Sequence, residues 1–253
     1  MNDRSTQPPV PSSAPAPIRP AASCPILMYH QIRPLPPRSD VLRGLSVDPR
    51  AFRRQMRVLK AFGYRGVSVA ELQRQQAQAR GGKLFAITFD DGFRNVFDHA
   101  LPVLDELGFT ATCYFVSGKL GRSNDWDRGL ATAEAALMDR GAMREWLAHG
   151  HEVGAHTVDH VALSEVSAQT ARRQIAHSKA QLEEATGRAV VSFCYPYGSF
   201  DTIVRRLIVE AGFHNATTTA RGRATACTDP FLLPRLAVPG GRGIVRFIGR
   251  FFR

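Results

Sequence analysis

Short runs of apolar, β-branched and aromatic residues alternate along this chain with longer stretches in which apolar positions recur every three or four residues. The first pattern belongs to strands and the second to amphipathic helices. Strands are expected at Ile26–His30, Gly66–Val69, Leu84–Phe89, Ala111–Val116, Glu152–Ala155, Val190–Cys194, Asn215–Thr219 and Arg235–Val238. Between the first two, Asp48 is placed to cap a helix with Pro49 at its first position. Phe52, Met56 and Leu59 then share one face, and Gly63 ends the helix. Further helices are expected over Ala100–Leu107, stopped by Gly108, and over about Ser167–Ala185, with Ile175 and Leu182 inward and Gly187 as the stop. Another is capped by Asp201 and ends at Gly212. Repeated strand–helix alternation implies a parallel sheet, and seven or eight units favour a closed or nearly closed α/β barrel.

In such a barrel the C-terminal strand ends line the active-site face. Two of the expected strands end in chemistry there. Ala86-Ile87-Thr88-Phe89 runs into Asp90-Asp91-Gly92. Adjacent carboxylates repel, so a cation would stabilise one as a ligand and leave its neighbour free to accept a proton. As a turn, Asp-Asp-Gly is also ordinary. The strand at Glu152–Ala155 runs into His156-Thr157-Val158-Asp159-His160, where one helical turn would put both imidazoles on the same side. Together the clusters offer one carboxylate and two imidazoles, which leaves room for water as a hydrolytic metal site requires. A third segment, Ser192-Phe193-Cys194-Tyr195-Pro196-Tyr197-Gly198, ends its strand in a proline turn whose backbone N–H could face an oxyanion.

Composition changes this picture little, but charge distribution does. The net charge of +11 suggests a polyanion partner, yet it divides as +9 over residues 1–80, −3 over 81–230 and +5 over 231–253. The segment with the chemistry is thus slightly acidic, which argues against nucleic acid. A peripheral contact with an anionic membrane surface, or with a phosphate-bearing lipid-linked sugar, stays open. The Pro/Ala/Ser-rich stretch 1–23 reads as a disordered lead-in without the apolar run of a secretory signal, which favours the cytoplasm. No apolar run is long enough to span a bilayer. Cys24, Cys113, Cys194 and Cys227 have neither disulfide-framework nor zinc spacing and are expected as buried thiols. The tail 241–253 mixes apolar and cationic residues near helical spacing, suiting a membrane surface or a helix docked on the barrel.

Taken in order, the three segments resemble the polysaccharide deacetylase family, also called the NodB-homology or carbohydrate esterase 4 domain. Thr88-Phe89-Asp90-Asp91-Gly92, His156-Thr157-Val158-Asp159-His160 and Pro196-Tyr197-Gly198 carry the likeness. The opening Leu27-Met28-Tyr29-His30 and the late Leu233-Pro234-Arg235 extend it across most of 24–240. The resemblance implies a distorted (β/α) barrel of about seven strands and hydrolysis of N-acetyl groups on hexosamine units. It also implies roles. Asp91, His156 and His160 would hold one divalent ion, zinc suiting this donor set. Asp90 would be the base, and the Tyr197 N–H, on the turn set by Pro196, would meet the oxyanion.

Two departures stand out. The family's third motif carries an arginine two residues before the proline, supporting the catalytic Asp; here that position is Cys194. No histidine follows His214 to serve as a late acid. One branch of the family places that acid near the domain start, which points to His30, with His214 in reserve. The missing arginine keeps a non-catalytic sugar-binding barrel in play, and deformylation or another amidase reaction on an amino sugar would use the same residues. Trp126, in a loop over the site, is a candidate for stacking on a sugar or packing on the rim. His99, His149, His151 and His177 read as helical or exposed and are given no role.

Overall fold

The computed structural model describes residues 23–78, 82–130 and 134–253. The lead-in at 1–23 lies, but for Ser23, outside the described residues.

The chain order is β1 (Ile26–Tyr29), β2 (Gln31–Ile32), β3 (Ser46–Val47), α1 (Pro49–Ala61), β4 (Arg65–Val67), α2 (Val69–Ala77), β5 (Leu84–Phe89), α3 (Arg94–His99), α4 (Leu101–Leu107) and β6 (Thr112–Phe115). It continues with α5 (Arg140–Ala148), β7 (Glu152–Ala155), α6 (Ala168–Thr186), β8 (Ser192–Cys194), α7 (Thr202–Glu210), β9 (Asn215–Arg221), β10 (Leu233–Ala237) and α8 (Ile244–Phe252). Strands β5 to β10 pair in sequence and in parallel, and β1 pairs with both β10 and β5, which closes a seven-stranded barrel. The distortion sits at β4, which pairs the first half of β5 while β6 pairs the second.

All eight expected strands are present, two with the expected ends and the others with ends moved by one or two residues. Local signals fix the expected helices. Asp48 accepts the Arg50 and Ala51 N–H groups, and Asp201 accepts that of Val204. Gly108 and Gly187 end α4 and α6 in the left-handed conformation that glycine adopts freely. Helices α2, α3 and α5 went unforeseen. Of the cysteines, three are buried and Cys227 is exposed, and none forms a disulfide.

The main hydrophobic core lies between barrel and helices, built from outward-facing side chains such as Ile87, Phe89, Phe115 and Phe193. The barrel interior is more polar. At its lower end the Glu152 carboxylate accepts from Thr112 Oγ1 (2.6 Å), from the Ala70 N–H at the start of α2 (3.1 Å) and from Ser192 Oγ. Helix α2 thus plugs this end, its first turn giving an N–H to a buried carboxylate as the helix dipole favours. Above, Tyr114 fills the space opposite Gly154, where an added Cβ would meet the ring at 2.4 Å. The upper, C-terminal end holds Asp90, Asp91, His156 and His160.

Candidate active site

Strand β5 ends at Phe89, and the next two residues part company. Asp90 stays in register, its N–H donating to the Tyr29 carbonyl at 3.0 Å. Asp91 turns into the left-handed region at φ 74°, followed by Gly92 at φ 76°. One carboxylate therefore points into the barrel and the other toward β7. Gly92 is required twice over, because a Cβ there would also meet the Phe115 ring at 2.8 Å.

Asp91, His156 and His160 converge. Asp91 Oδ1 lies 3.3 Å from His156 Nε2 and 3.3 Å from His160 Nε2. All three side chains are buried. No donor is aligned on Asp91 Oδ1, a buried carboxylate oxygen without a hydrogen bond. Such an atom is costly unless something else satisfies it. Each imidazole is already turned by its other nitrogen: His156 Nδ1 donates to the Cys194 carbonyl at 2.7 Å, and His160 Nδ1 meets Tyr197 Oη at 3.0 Å. Both Nε2 lone pairs are left facing the same point, the arrangement that supporting hydrogen bonds impose on metal-ligating histidines. Donors on a tetrahedron with zinc-type bond lengths stand about 3.3 Å apart. One carboxylate and two imidazoles at these separations fit a divalent ion such as zinc. Burial holds the His160 imidazole below its ordinary pKa against the pull of Asp91, so its lone pair is available. At His156 burial is outweighed by Cys194 and Asp91, which raise its pKa, so a bound cation would have to displace that proton.

The two histidines do not meet across a helical turn, as their spacing suggested. Thr157 at φ 66° and His160 at φ 58° bend the segment back on itself. Gln174 of α6 pins that bend by accepting the Val158 and Asp159 N–H groups at 2.9 and 3.0 Å. Asp91, Thr157, His160 and Tyr197 are the non-glycine residues at positive φ among the described residues, and all four lie at this site. Backbone strain of this kind persists where surrounding structure enforces it, and it gathers at functional sites.

Asp90 is held by Arg235 of β10. The guanidinium grips it with both arms, Nη1–Oδ1 at 2.7 Å and Nη2–Oδ2 at 2.8 Å, while its Nε donates to the Thr218 carbonyl. Nη2 also lies 3.2 Å from Cys194 Sγ, so the arginine absent at position 194 is supplied from β10 into the same space. The sequence reading of a lost supporting arginine is therefore corrected. Burial alone would raise the Asp90 pKa, but the charge and hydrogen bonds of Arg235, aided by His30 and His156, hold it below the usual carboxylate range. For Asp91, burial is outweighed by His156 and His160, and its pKa lies well below that range.

His30 closes the approach to Asp90, its Nε2 3.8 Å from Oδ2 and its side chain 20% exposed. His214 sits just before β9, exposed at the opposite end of the barrel, and does not reach the site. Pro196 is buried in the turn after β8, which is closed by the Gly198 and Ser199 N–H groups and leaves that of Tyr197 out of those bonds. The Tyr197 ring packs on His160 at 4.6 Å yet is 59% exposed. Trp126 stacks on His160, centroids 4.5 Å apart and planes 23° from parallel, so one indole face is already taken.

Comparison with known proteins follows the same lines. The family model described as polysaccharide deacetylase matches residues 77–216. The chain is 26% identical over 222 residues to YxkH of Bacillus subtilis, a protein with a polysaccharide-deacetylase name, covering 87% of this chain and 73% of the relative. It is 22% identical to the poly-β-1,6-N-acetyl-D-glucosamine N-deacetylase of Staphylococcus epidermidis, covering 84% and 78%. Its fold is shared with the Streptococcus pyogenes deacetylase PplD, solved with acetate, at a TM-score of 0.79 and 24% identity over 92% of this chain and 99% of that one. With more than half its length matched by one family model and the barrel in common, this chain belongs to the polysaccharide deacetylase family of enzymes.

Proposed function

We propose that this protein is a metal-dependent hydrolase that removes N-acetyl groups from N-acetylhexosamine units of a polysaccharide, oligosaccharide or lipid-linked sugar. The observation that carries this reading is the buried trio of Asp91, His156 and His160, with the bare Asp91 Oδ1 at its centre and a fixed carboxylate alongside. Asp91, His156 and His160 would hold the ion. Bound there, a divalent ion supplies Lewis acidity and makes water easier to deprotonate.

The chain's own residues do the rest. Asp90, ionised and held by Arg235, accepts a proton from the attacking water, whose oxygen bonds to the acetamide carbon. The Tyr197 N–H, on the turn set by Pro196, donates to the oxygen that gains charge. His30, at the edge of Asp90, donates a proton to the sugar nitrogen as the C–N bond breaks, giving acetate and a free amine. Trp126, with one face on His160, keeps its remaining edge for the sugar. The Staphylococcus epidermidis relative makes β-linked N-acetylglucosamine oligomers the first substrate to try.

The test is acetate release from such oligomers, with bound zinc counted on the same samples. Release stopped by chelator, restored by zinc and lost in Asp90→Asn with zinc still bound is the expected result. A folded, zinc-loaded protein that releases neither acetate nor formate from any acylated amino sugar would refute the proposal.

A further inference from the structure

The outer wall of the barrel carries a groove of about 880 Å³ along α8 that the chemistry above does not use. Five arginines line it, Arg221, Arg242, Arg246, Arg250 and Arg253, and no Asp or Glu does. Several arginines elsewhere are ion-paired, Arg53 and Arg57 with Glu106, Arg94 with Asp98, Arg128 with Glu134 and Arg205 with Asp229, while others such as Arg50, Arg54 and Arg122 are not. Among the described residues none of the five groove arginines forms such a pair.

Helix α8 explains how the charges come together. Phe247 and Phe251 are buried against the barrel and dock the helix, while Val245 and Phe252 stay exposed. Arg246 and Arg250 lie one turn apart on α8, with Arg242 just before the helix and Arg253 just after it at similar steps, and so form a stripe beside the buried aromatic one. Arg221, at the end of β9, faces them across the groove. Of their side-chain donors, Arg250 Nη1 is engaged, with the Ala237 carbonyl at 2.5 Å. Like charges around a concavity repel, and the concavity focuses their field on whatever enters. A guanidinium fork matches phosphate oxygens two at a time. The groove begins at Val238, three residues beyond the Arg235 that holds Asp90, hence within roughly 10 Å of it along the chain.

We propose that this groove is a binding site for phosphate esters, placed at the rim so that a phosphate-bearing substrate of the deacetylase is held while its sugar enters the barrel. The second half of that statement rests on the proposed function; the binding site does not.

The experiment is calorimetric titration of the full chain with inorganic pyrophosphate, set beside the variant Arg242→Gln/Arg246→Gln. Both replaced side chains are exposed and neither touches the metal-ligand cluster. Saturable binding by the native chain, weakened by salt and at least about tenfold weaker in the variant, is expected, since each lost charged hydrogen bond is worth a factor of that order. No pyrophosphate binding, or binding the variant retains in full, overturns the proposal. Flotation with vesicles of equal parts phosphatidylcholine and phosphatidylglycerol, against phosphatidylcholine alone, then identifies the source. Retention alongside pyrophosphate binding assigns the site to lipid headgroups, and pyrophosphate binding without retention assigns it to phosphate on the glycan. Retention without pyrophosphate binding replaces the discrete site with a diffuse surface attraction and also overturns it. None of these readings uses acetate release, so failure of the deacetylase assay and failure of the groove are told apart.

Discussion

Arg235 and Asp90 show what a single side chain controls here. A buried carboxylate gripped by a buried guanidinium is stable only while both are present, and removing one partner typically costs about 3–5 kcal/mol. Arg235→Met is expected to lower the melting temperature by on the order of 10 °C for a chain of this size. It also frees the Asp90 pKa to rise, so the acid limb of the activity profile moves to higher pH. Arg235→Lys restores charge without the two-armed grip and falls between; an unchanged acid limb in both variants would show that Arg235 does not set the base. Nothing in the linear sequence pairs these residues. Leu233-Pro234-Arg235 is visible as part of a family likeness, but its role follows from barrel closure, which brings β10 and β5 to either side of β1. His151 was misread for a related reason: it follows a helix end and looks exposed, yet it is buried and stacked on Trp146 at 4.1 Å. Burial lowers its pKa from 6.5 to about 4, with Asp105 pulling the other way. The unfolded chain therefore takes up a proton first. Stability is unaffected above pH 6.5, falls as pH drops below it, and by pH 4 has lost about 3 kcal/mol. Whatever His151→Phe costs at pH 7, its melting temperature should vary less between pH 6.5 and 4 than that of the native chain.

Elements were legible where burial imposed a period and a capping residue marked an end. Strand β5 could be read residue by residue because Leu84–Phe89 is apolar on both faces, and α1 because Asp48 and Pro49 announce it. Helix α2 was hidden. Over Val69–Ala77 polar residues outnumber apolar ones, because it buries only Val69 and Leu72 at the barrel's closed end. The segment 156–160, which carries two of the proposed ligands, was legible as chemistry but not as shape, since a spacing of four suits a helical turn as well as the left-handed bend observed. The turn after β8 can be tested as an element. Gly198 sits at φ 71°, and a Cβ there would clash with the Thr219 side chain of β9, its Oγ1 nearest and its Cβ at 3.0 Å. Gly198→Ala should displace the turn that carries Tyr197 and cost about 1–3 kcal/mol, as overpacking does. If the Tyr197 N–H serves the oxyanion, acetate release should fall in kcat more than in KM. A variant that melts lower but keeps its full kcat would remove the turn from the chemistry.

At the scale of the molecule, the barrel and its last helix form one packed body. Phe251 of α8 is buried against Tyr64 (5.0 Å) and Phe85 (5.5 Å), and Phe85 in turn packs on Phe109 at 5.7 Å. The tail that mixes apolar and cationic residues therefore divides its labour, the aromatics closing the outer core and the arginines facing the groove. Membrane insertion through the apolar face would require undocking the helix. None of the described helices is long and apolar enough to cross a bilayer. Removing the Phe251 ring leaves a cavity between α8, β4 and β5, a loss typically worth about 3–5 kcal/mol. Since β5 also delivers Asp90 and Asp91, loosening at its first residues has a route to the site, yet Phe85 lies at the far end of that strand from both carboxylates. The expected result for Phe251→Ala is a melting temperature lower by on the order of 10 °C with zinc affinity and kcat near native at low temperature. A large loss of zinc affinity at a temperature where the variant remains folded would show that α8 and the ligand cluster are coupled through β5, and that the tail belongs to the catalytic apparatus rather than to its outer support.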